Sequence, residues 1–574
     1  MTSIRELFDD FLNASEANTT INAYNSLQQI LEHPIGYIEF RDGVTTHLNF
    51  KNKGLFKVLD QKWTLAAPLR DGLLSKAPPK VVISGAGPCG LRAAVESALC
   101  GHDVTLLELR DELSRHNILK TWQNTVDDLL GFGLASFVPG FKQHGPLHLG
   151  TRELQLCLLK AALIFGVDIH FGVGVCGVIE PDVDLGLEHA GAWRVWTLPQ
   201  REARQNLGRV IPDNEAQELS LRPGEQDVSK LSQKSKVDFY EYATSMDGAV
   251  LRASTRLDDM KLARIQAAKL IPFDTLIVAE GESSRLIRQL GFDRKIFKSN
   301  EAIGLVVNLD FSAAKPLSER QKPEFVHSKA MATWKDGPLG ILMGQGLDLE
   351  NIEYMRGTTH FIAATTRTRA LQALGIVKAI EPTVKETLVA ENMDFEKLRG
   401  LARLLAQSCG IPDDASLSAK HGVQVFDFSC RGLCVEPLKF LQPSTSQSPS
   451  ALILPAGDAL QNPYWPQGLG INRGFMNALD CVWAAHLKAT MSDDIVDEER
   501  RYAFRVMDWR TFTAASSLQS GKYWTVDPLT RYSHALTVSI NMHDIEMKVA
   551  KSSIPQRYRD LLGIVFVEPA GGAG

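Results

Sequence analysis

The chain has 574 residues, of which 44% are hydrophobic and 22% charged, a balance that excludes a disordered or a fibrous protein. A formal net charge of -5 offers no basic field for nucleic acid, and no uninterrupted apolar run approaches the roughly 18 residues that a membrane span requires. Eight scattered cysteines favour free thiols over a disulfide framework, and the opening Met-Thr-Ser-Ile-Arg-Glu lacks the plan of a secretory signal, so the expected location is cytoplasmic.

Residues 1–80 read as a helical region. Ser3 and Glu6 have capping-box spacing, in which a hydroxyl bonds an orphan amide while the carboxylate reaches back. Leu7, Phe8, Phe11 and Leu12 then repeat at helical spacing, as do Tyr24, Leu27, Ile30 and Leu31, and Leu55, Phe56, Val58 and Leu59. Residues 81–197 alternate strand and helix, with strands at 81–84, 104–107 and 167–180 and a helix capped by Thr151 that runs through Phe165. Residues 198–270 are polar and read as an insertion, helical near 257–270. Residues 271–300 return to the first domain with a buried strand at 273–279. Residues 301–420 read as a substrate domain, sheet over 301–370 and helices over 375–410. Residues 421–490 close the first domain with a strand at 452–454 and a long helix to about residue 488; residues 491–574 add helices and loops.

Two glycine-rich motifs carry the chemistry. In Gly85-Ala86-Gly87-Pro88-Cys89-Gly90 the first glycine permits a tight turn, the second lets backbone approach a pyrophosphate, and the third lets helix and strand pack closely. Glu108 closes the next strand, 18 residues after Gly90, and can accept ribose hydroxyls. About 370 residues later, Gly457-Asp458 follows a strand and precedes Trp465-Pro466-Gln467-Gly468-Leu469-Gly470-Ile471-Asn472-Arg473-Gly474. Asp458 can hold a ribityl or ribose hydroxyl, and the amides at 468–472 can face a flavin pyrimidine edge, where a helix start stabilises negative charge. One nucleotide contacted from both chain ends is the pattern of FAD.

These residues resemble the p-hydroxybenzoate-hydroxylase class of FAD monooxygenases and, more closely, the flavin domain of the MICAL proteins. The resemblance runs through GAGPCGLR at 85–92, Glu108 to Arg110, SRHN at 114–117, LQLCLLKAALIFGVDI at 154–169, NIEYMRGTTH at 351–360, FDFS at 426–429, residues 457–474, and TVDPLTRY at 525–532. It implies a Rossmann-like α/β FAD-binding domain, an inserted mixed-sheet substrate domain and an N-terminal helical region. It implies that Cys89 lies near the phosphates and that Glu108 and Arg110 hold the adenosine end, with Phe171 by the adenine. It also implies that Arg115, His116 and Asn117 line the flavin side, that Tyr354 and Trp465 flank the isoalloxazine, and that Asp458 binds the ribityl region. The cofactor contacts thus expected are Gly85, Gly87, Cys89, Gly90, Glu108, Arg110, Arg115, Asn117, Phe171, Asp458, Gly468, Gly470 and Asn472. The residues expected at the reacting centre are Trp465, Tyr354, Asn117 and His116. Two departures stand out: Glu280-Gly281 replaces the Asp-Gly of the class, and Trp-Pro-Gln-Gly-Leu-Gly replaces Trp-Pro-Met-Gly-Thr-Gly.

There is no second GxGxxG for a separate nicotinamide domain, no HExxH, Walker A or GxSxG, and Cys430 with Cys434 is a lone pair without further metal ligands. The expected activity is therefore that of an NAD(P)H-using flavoprotein monooxygenase. NADPH transiently reduces FAD, and a C4a-hydroperoxyflavin delivers one atom of O2 to a small or carrier-tethered organic substrate. MICAL-like oxidation of a protein methionine, as on actin, is the first alternative. Peroxide production by an NADPH oxidase is the second, and a partner-binding role without chemistry the third.

Overall fold

A computed structural model describes residues 2–34, 36–74, 76–113, 117–138, 147–181, 183, 191–201, 203, 250–252, 265, 268–298, 301–311, 325–327, 338–356, 359–419, 422–444, 448–462, 470–508, 524–532 and 557. The N-terminal helices α1 (Ile4–Asn13), α2 (Ala17–Ile30), α3 (Gly36–Thr45), α4 (Phe50–Leu65) and α5 (Ala67–Asp71) come first. The capping box at α1 is present: Ser3 Oγ accepts from the Glu6 amide, and the Glu6 carboxylate accepts from the Ser3 amide at 2.8 Å. Phe8, Phe11, Tyr24, Phe40 and Phe56 point inward at helical spacing and pack ring against ring.

The nucleotide-binding half follows. Strand β1 (Lys80–Ser84) leads into α6 (Pro88–Leu99) and β2 (Asp103–Glu108). The hairpin β3 (Ile118–Thr121) and β4 (Leu147–Gly150) encloses α7 (Gln123–Gly131) and α8 (Leu134–Phe137). Next come α9 (Thr151–Ile164), β5 (Asp168–Phe171), β6 (Val173–Ile179), β7 (Arg194–Pro199), β8 (Val250–Leu251), β9 (Lys269–Pro272) and β10 (Thr275–Val278). Strand β11 (Arg294–Lys298) crosses to a second sheet made of β12 (Ile303–Leu309), β13 (Phe325–His327), β14 (Glu350–Arg356), β15 (His360–Thr366) and β16 (Val423–Asp427). The chain returns through β17 (Cys430–Cys434), β18 (Lys439–Leu441) and β19 (Ala451–Pro455).

The principal sheet has the order β18-β19-β10-β1-β2-β5. Every pair is parallel except the edge pair β18–β19. Its strands are near-continuous apolar runs because helices cover the sheet. The expected parallel Rossmann-like sheet and N-terminal helical layer are observed, while the second sheet is antiparallel in every described pair, where a mixed sheet was expected. The second sheet reaches to Asp427, past the boundary expected at residue 420.

Two local expectations change. Thr151 is the first helical residue rather than the cap; its hydroxyl donates to the Asn117 carbonyl at 2.7 Å. Residues 269–272 form strand β9 against β7, where helix was expected up to residue 270, because pairing with a buried neighbour overrides local propensity. Most of the 198–270 insertion lies outside the described residues.

The N-terminal helices share one apolar core with α6, α9 and the principal sheet. Buried charge welds the same junction. Arg92 on α6 donates to Asp128 on α7 at 2.9 Å and to Glu96 at 2.7 Å, and Lys62 on α4 reaches Asp128 at 2.7 Å. Burial opposes ionisation of Asp128, yet Arg92 and Lys62 together hold its carboxyl below the usual range. The C-terminal segment is clipped in a similar way: Arg531 bonds Asp480 on the long helix Gly470–Thr490, and Tyr532 Oη donates to the same carboxylate at 2.9 Å.

His102, in the turn between α6 and β2, is buried beside His486, with ring centroids 5.7 Å apart and no partner for either His102 nitrogen among the described residues. Burial pushes its pKa down to about 3, and His486 adds to the shift. A folded pKa below the unfolded value of 6.5 gives stability that is present above pH 6.5 and lost as pH falls toward 3. Within that window each pH unit costs up to about 1.4 kcal/mol. The drop in apparent Tm between pH 7 and pH 5 should therefore shrink in His102→Leu; an unchanged drop would remove His102 from the acid response.

Candidate active site

The carboxyl ends of β1 and β2 position the first motif. Gly85 has φ +106°, a conformation open to glycine, and its amide donates to the Leu107 carbonyl at 2.7 Å. A Cβ at Gly85 would lie 2.6 Å from the Ala279 carbonyl oxygen, and one at Gly90 would overlap the Gly85 carbonyl. Gly87 differs: a Cβ there meets only the Ala279 oxygen, at 3.9 Å. The first and third glycines therefore serve packing, while the second leaves open space at the start of α6. Pro88 occupies the first turn, where its missing N–H is not required.

Glu108 braces this turn. One carboxylate oxygen accepts from the Ala86 amide at 2.7 Å and the other from the Arg110 amide at 2.9 Å. A carboxylate has about four lone-pair sites, so acceptor capacity remains for a ribose. Gln155 on α9 completes the brace by donating to the Ala86 carbonyl at 2.8 Å. Phe171 ends β5 in register with Glu108, and Arg110 lies half-buried beside them, with its carbonyl accepting from the Gly172 amide.

The second motif meets the first directly. Gly457 has φ +60°, and its amide donates to Asn477 Oδ1 at 2.8 Å. A Cβ at Gly457 would stand 2.9 Å from Cys89 Sγ, and one at Gly474 would stand 2.5 Å from the same sulfur. Cys89 is thus wedged between Gly457 and the first turns of the Gly470 helix. Two helix starts converge here, and neither has an acidic residue in its first turn. Two unneutralised positive dipole ends side by side form a site that suits an anion. Asp458 is half-buried at the same turn. Asn472 is buried, and its Oδ1 accepts from the Thr125 hydroxyl and from the Trp122 amide at 3.3 Å. Its Nδ2 has no partner among the described residues.

Asn117 lies at the start of β3, and its carbonyl receives both the amide and the hydroxyl of Thr151. Tyr354 is placed elsewhere. Its side chain is buried in the core of the second sheet and hydrogen-bonded to His360 Nδ1 at 2.8 Å. The opposite face of that sheet, with Val306, Met355, Phe361 and Phe426, packs toward Ile118 of β3. Strand alternation explains the difference: Tyr354 and Met355 point to opposite faces, and Met355 takes the face toward β3. The structure thus places Tyr354 on the face of the second sheet away from β3. Arg115, His116, Trp465 and Gly468 lie outside the described residues. Gly470 opens its helix.

Sequence reasoning missed the residues that hold the turns. Gln155, Asn477 and Arg294 all act through side chain to backbone bonds, which carry no motif. Glu280, which stands where the class has Asp, is a hub: it accepts from Ser84 Oγ at 2.6 Å and from Ser284 Oγ at 2.7 Å. Burial pushes its carboxyl above the usual range against the pull of both hydroxyls, and Glu108 adds to the rise.

No family model matches the chain. It is 28% identical over 551 residues to the protein-methionine sulfoxide oxidase mical3a of Danio rerio, across 94% of this chain and 23% of that protein. It is equally 28% identical over 546 residues to the human [F-actin]-monooxygenase MICAL3, across 93% of this chain and 23% of the relative. The chain therefore spans about a quarter of the length of the curated relatives it matches. Among solved structures, the OxyS anhydrotetracycline hydroxylase from Streptomyces rimosus matches at 15% identity and TM-score 0.40, over 85% of this chain and 75% of that one.

The contrast between glycines gives a paired test. Gly87→Ala should leave the melting temperature of the apoprotein nearly unchanged while weakening dinucleotide binding. Gly90→Ala should lower both, since overpacking costs about 1–3 kcal/mol. Calorimetry on both variants checks this, and equal melting losses would contradict the assignment.

Proposed function

We propose that this chain is a FAD-dependent monooxygenase that takes its electrons from NAD(P)H, with NADPH as the transient reductant. The observation that carries the reading is the meeting of two glycine-rich turns, 370 residues apart in sequence, around Cys89 at the carboxyl end of one parallel sheet. A dinucleotide is long enough to use both. FAD, when bound, supplies hydride acceptance and activation of O2.

The residues of the chain bind and orient. The open space at Gly87 and the start of α6 receive the pyrophosphate, and the two helix ends offset its charge. Glu108 and Arg110 hold the adenosine end, with Phe171 beside it. Asp458 takes a ribityl hydroxyl. Asn117, Gly470 and Asn472 line the ring end, together with Arg115, His116, Trp465 and Gly468. Asn472 Nδ2, buried without a partner, is a donor awaiting an acceptor there. The apolar face of Val306, Met355, Phe361 and Phe426 keeps water from the side toward the second sheet.

For the substrate, similarity along 94% of the chain to a protein-methionine sulfoxide oxidase favours a protein thioether, with F-actin the first candidate. A small or carrier-tethered organic substrate is the second reading. It is favoured by the net charge of -5, which opposes docking on an acidic filament. The test is NADPH consumption with and without F-actin under air, followed by peptide mass spectrometry of actin. Methionine sulfoxide above a catalase-protected control supports the protein substrate. Unmodified actin with slow NADPH use points to the second reading, fast NADPH use that yields peroxide alone points to an NADPH oxidase, and no NADPH oxidation at all with FAD bound contradicts a monooxygenase.

A further inference from the structure

Arg294 opens β11, the strand that leaves the nucleotide-binding half for the second sheet, and it faces back toward the second glycine-rich turn. Its Nη1 donates to the Ala459 carbonyl at 2.6 Å and to the Asp458 carbonyl at 3.2 Å. Its Nη2 donates to Asn462 Oδ1 at 2.7 Å. Asn462 is gripped in turn, for the same Oδ1 accepts from the Gly432 amide at 2.8 Å, and its Nδ2 donates to Glu282 at 3.1 Å. The neighbouring strand β17 tightens the hold: the Cys434 amide donates to the Leu460 carbonyl at 2.8 Å, and the Asn462 amide donates to the Gly432 carbonyl at 3.0 Å. Every residue from 458 to 462 is thus bonded to β11 or β17, either directly or through the Leu433–Gln461 bridge.

We propose that Arg294 is the positioning residue of the flavin-end turn: its planar fork fixes the backbone of Asp458 and Ala459, and so sets where the Asp458 carboxylate points. Three observations converge on this. The carbonyls involved belong to the 3₁₀ turn Gly457–Ala459, which also carries the Asp458 side chain. A guanidinium presents several donors in a rigid plane, whereas an ammonium is a point donor on a flexible stem. Finally, Gly432 leaves space for the fork: a Cβ there would overlap Asn462 Oδ1 and lie 2.7 Å from Arg294 Nη2. Since β11 pairs with β17 and leads into β12, the lock also ties the nucleotide turn to the root of the second sheet.

The inference rests on the FAD reading of the Asp458 turn, and the experiment separates the two. The apoprotein of the parent and of Asp458→Ala, Arg294→Lys and Gly432→Ala is titrated with FAD by flavin fluorescence, and the melting temperature of each apoprotein is recorded. Arg294→Lys keeps the charge and loses the fork. It should bind FAD roughly tenfold to a hundredfold more weakly, the loss of one or two charge-assisted hydrogen bonds, with an apoprotein melting temperature close to the parent's. The visible circular dichroism of its bound flavin should change as well. Unaltered affinity and dichroism in Arg294→Lys, beside a weakened Asp458→Ala, would overturn the positioning role and leave the FAD reading intact. A parent that binds no FAD would overturn the reading itself. Equal losses of affinity and of apoprotein melting temperature would assign Arg294 to general stability and also overturn the proposal. Should Arg294→Lys fail to fold, Gly432→Ala, which displaces the fork from the other side, is judged by the same criteria.

Discussion

The close approach of Gly457 and Gly474 to Cys89 is the constraint on which the site depends. It brings two helix starts together at the carboxyl end of a parallel sheet, where their dipoles add instead of cancelling. That arrangement costs electrostatic energy without an anion between or beside them. Larger side chains at either glycine would force the helices apart and open the site. The other features follow from keeping this crossing fixed: Glu108 and Gln155 pin the first turn, Asn477 and Arg294 the second, and Asn472 ties the long helix to α7.

The N-terminal helices take part in the same task at one remove. Arg92 projects from α6, the helix that begins at the first glycine motif, and its charge is answered by Asp128 on α7, which Lys62 of α4 also reaches. Removing one member would leave buried charge unpaired, a defect of about 3–5 kcal/mol. The layer therefore belongs to the body that carries the turns, as its shared apolar core with α6 and α9 indicates. The Arg531 and Tyr532 clip on Asp480 does the equivalent for the far side of the long helix.

The amino-acid pattern revealed much of this because the relevant forces are local. The strands of the parallel sheet are short apolar runs, and the glycines stand where backbone conformation or close packing demands them, so 81–108 and 452–458 could be read directly. The placement of Tyr354 could not: which face of β14 looks toward β3 is decided by the register of a five-stranded sheet, where one residue of alternation moves a side chain from one face to the other. The first two residues of β9 read as the end of a helix for a related reason, since their partner β7 lies more than 70 residues earlier. Arg294 and Asn462 escaped notice because a side chain that bonds backbone carbonyls distant in sequence leaves no spacing to detect.

The account stands on one dinucleotide bridging both glycine-rich turns. The most direct measurement is a titration of the apoprotein with FAD, followed by flavin absorption and carried out in parallel on Gly87→Val and Asp458→Ala. The account predicts one FAD per chain in the parent and weakened binding in both variants, since each removes one end of the same ligand's site. Full binding by either variant would show that its turn does not contact the cofactor, and would contradict the central claim.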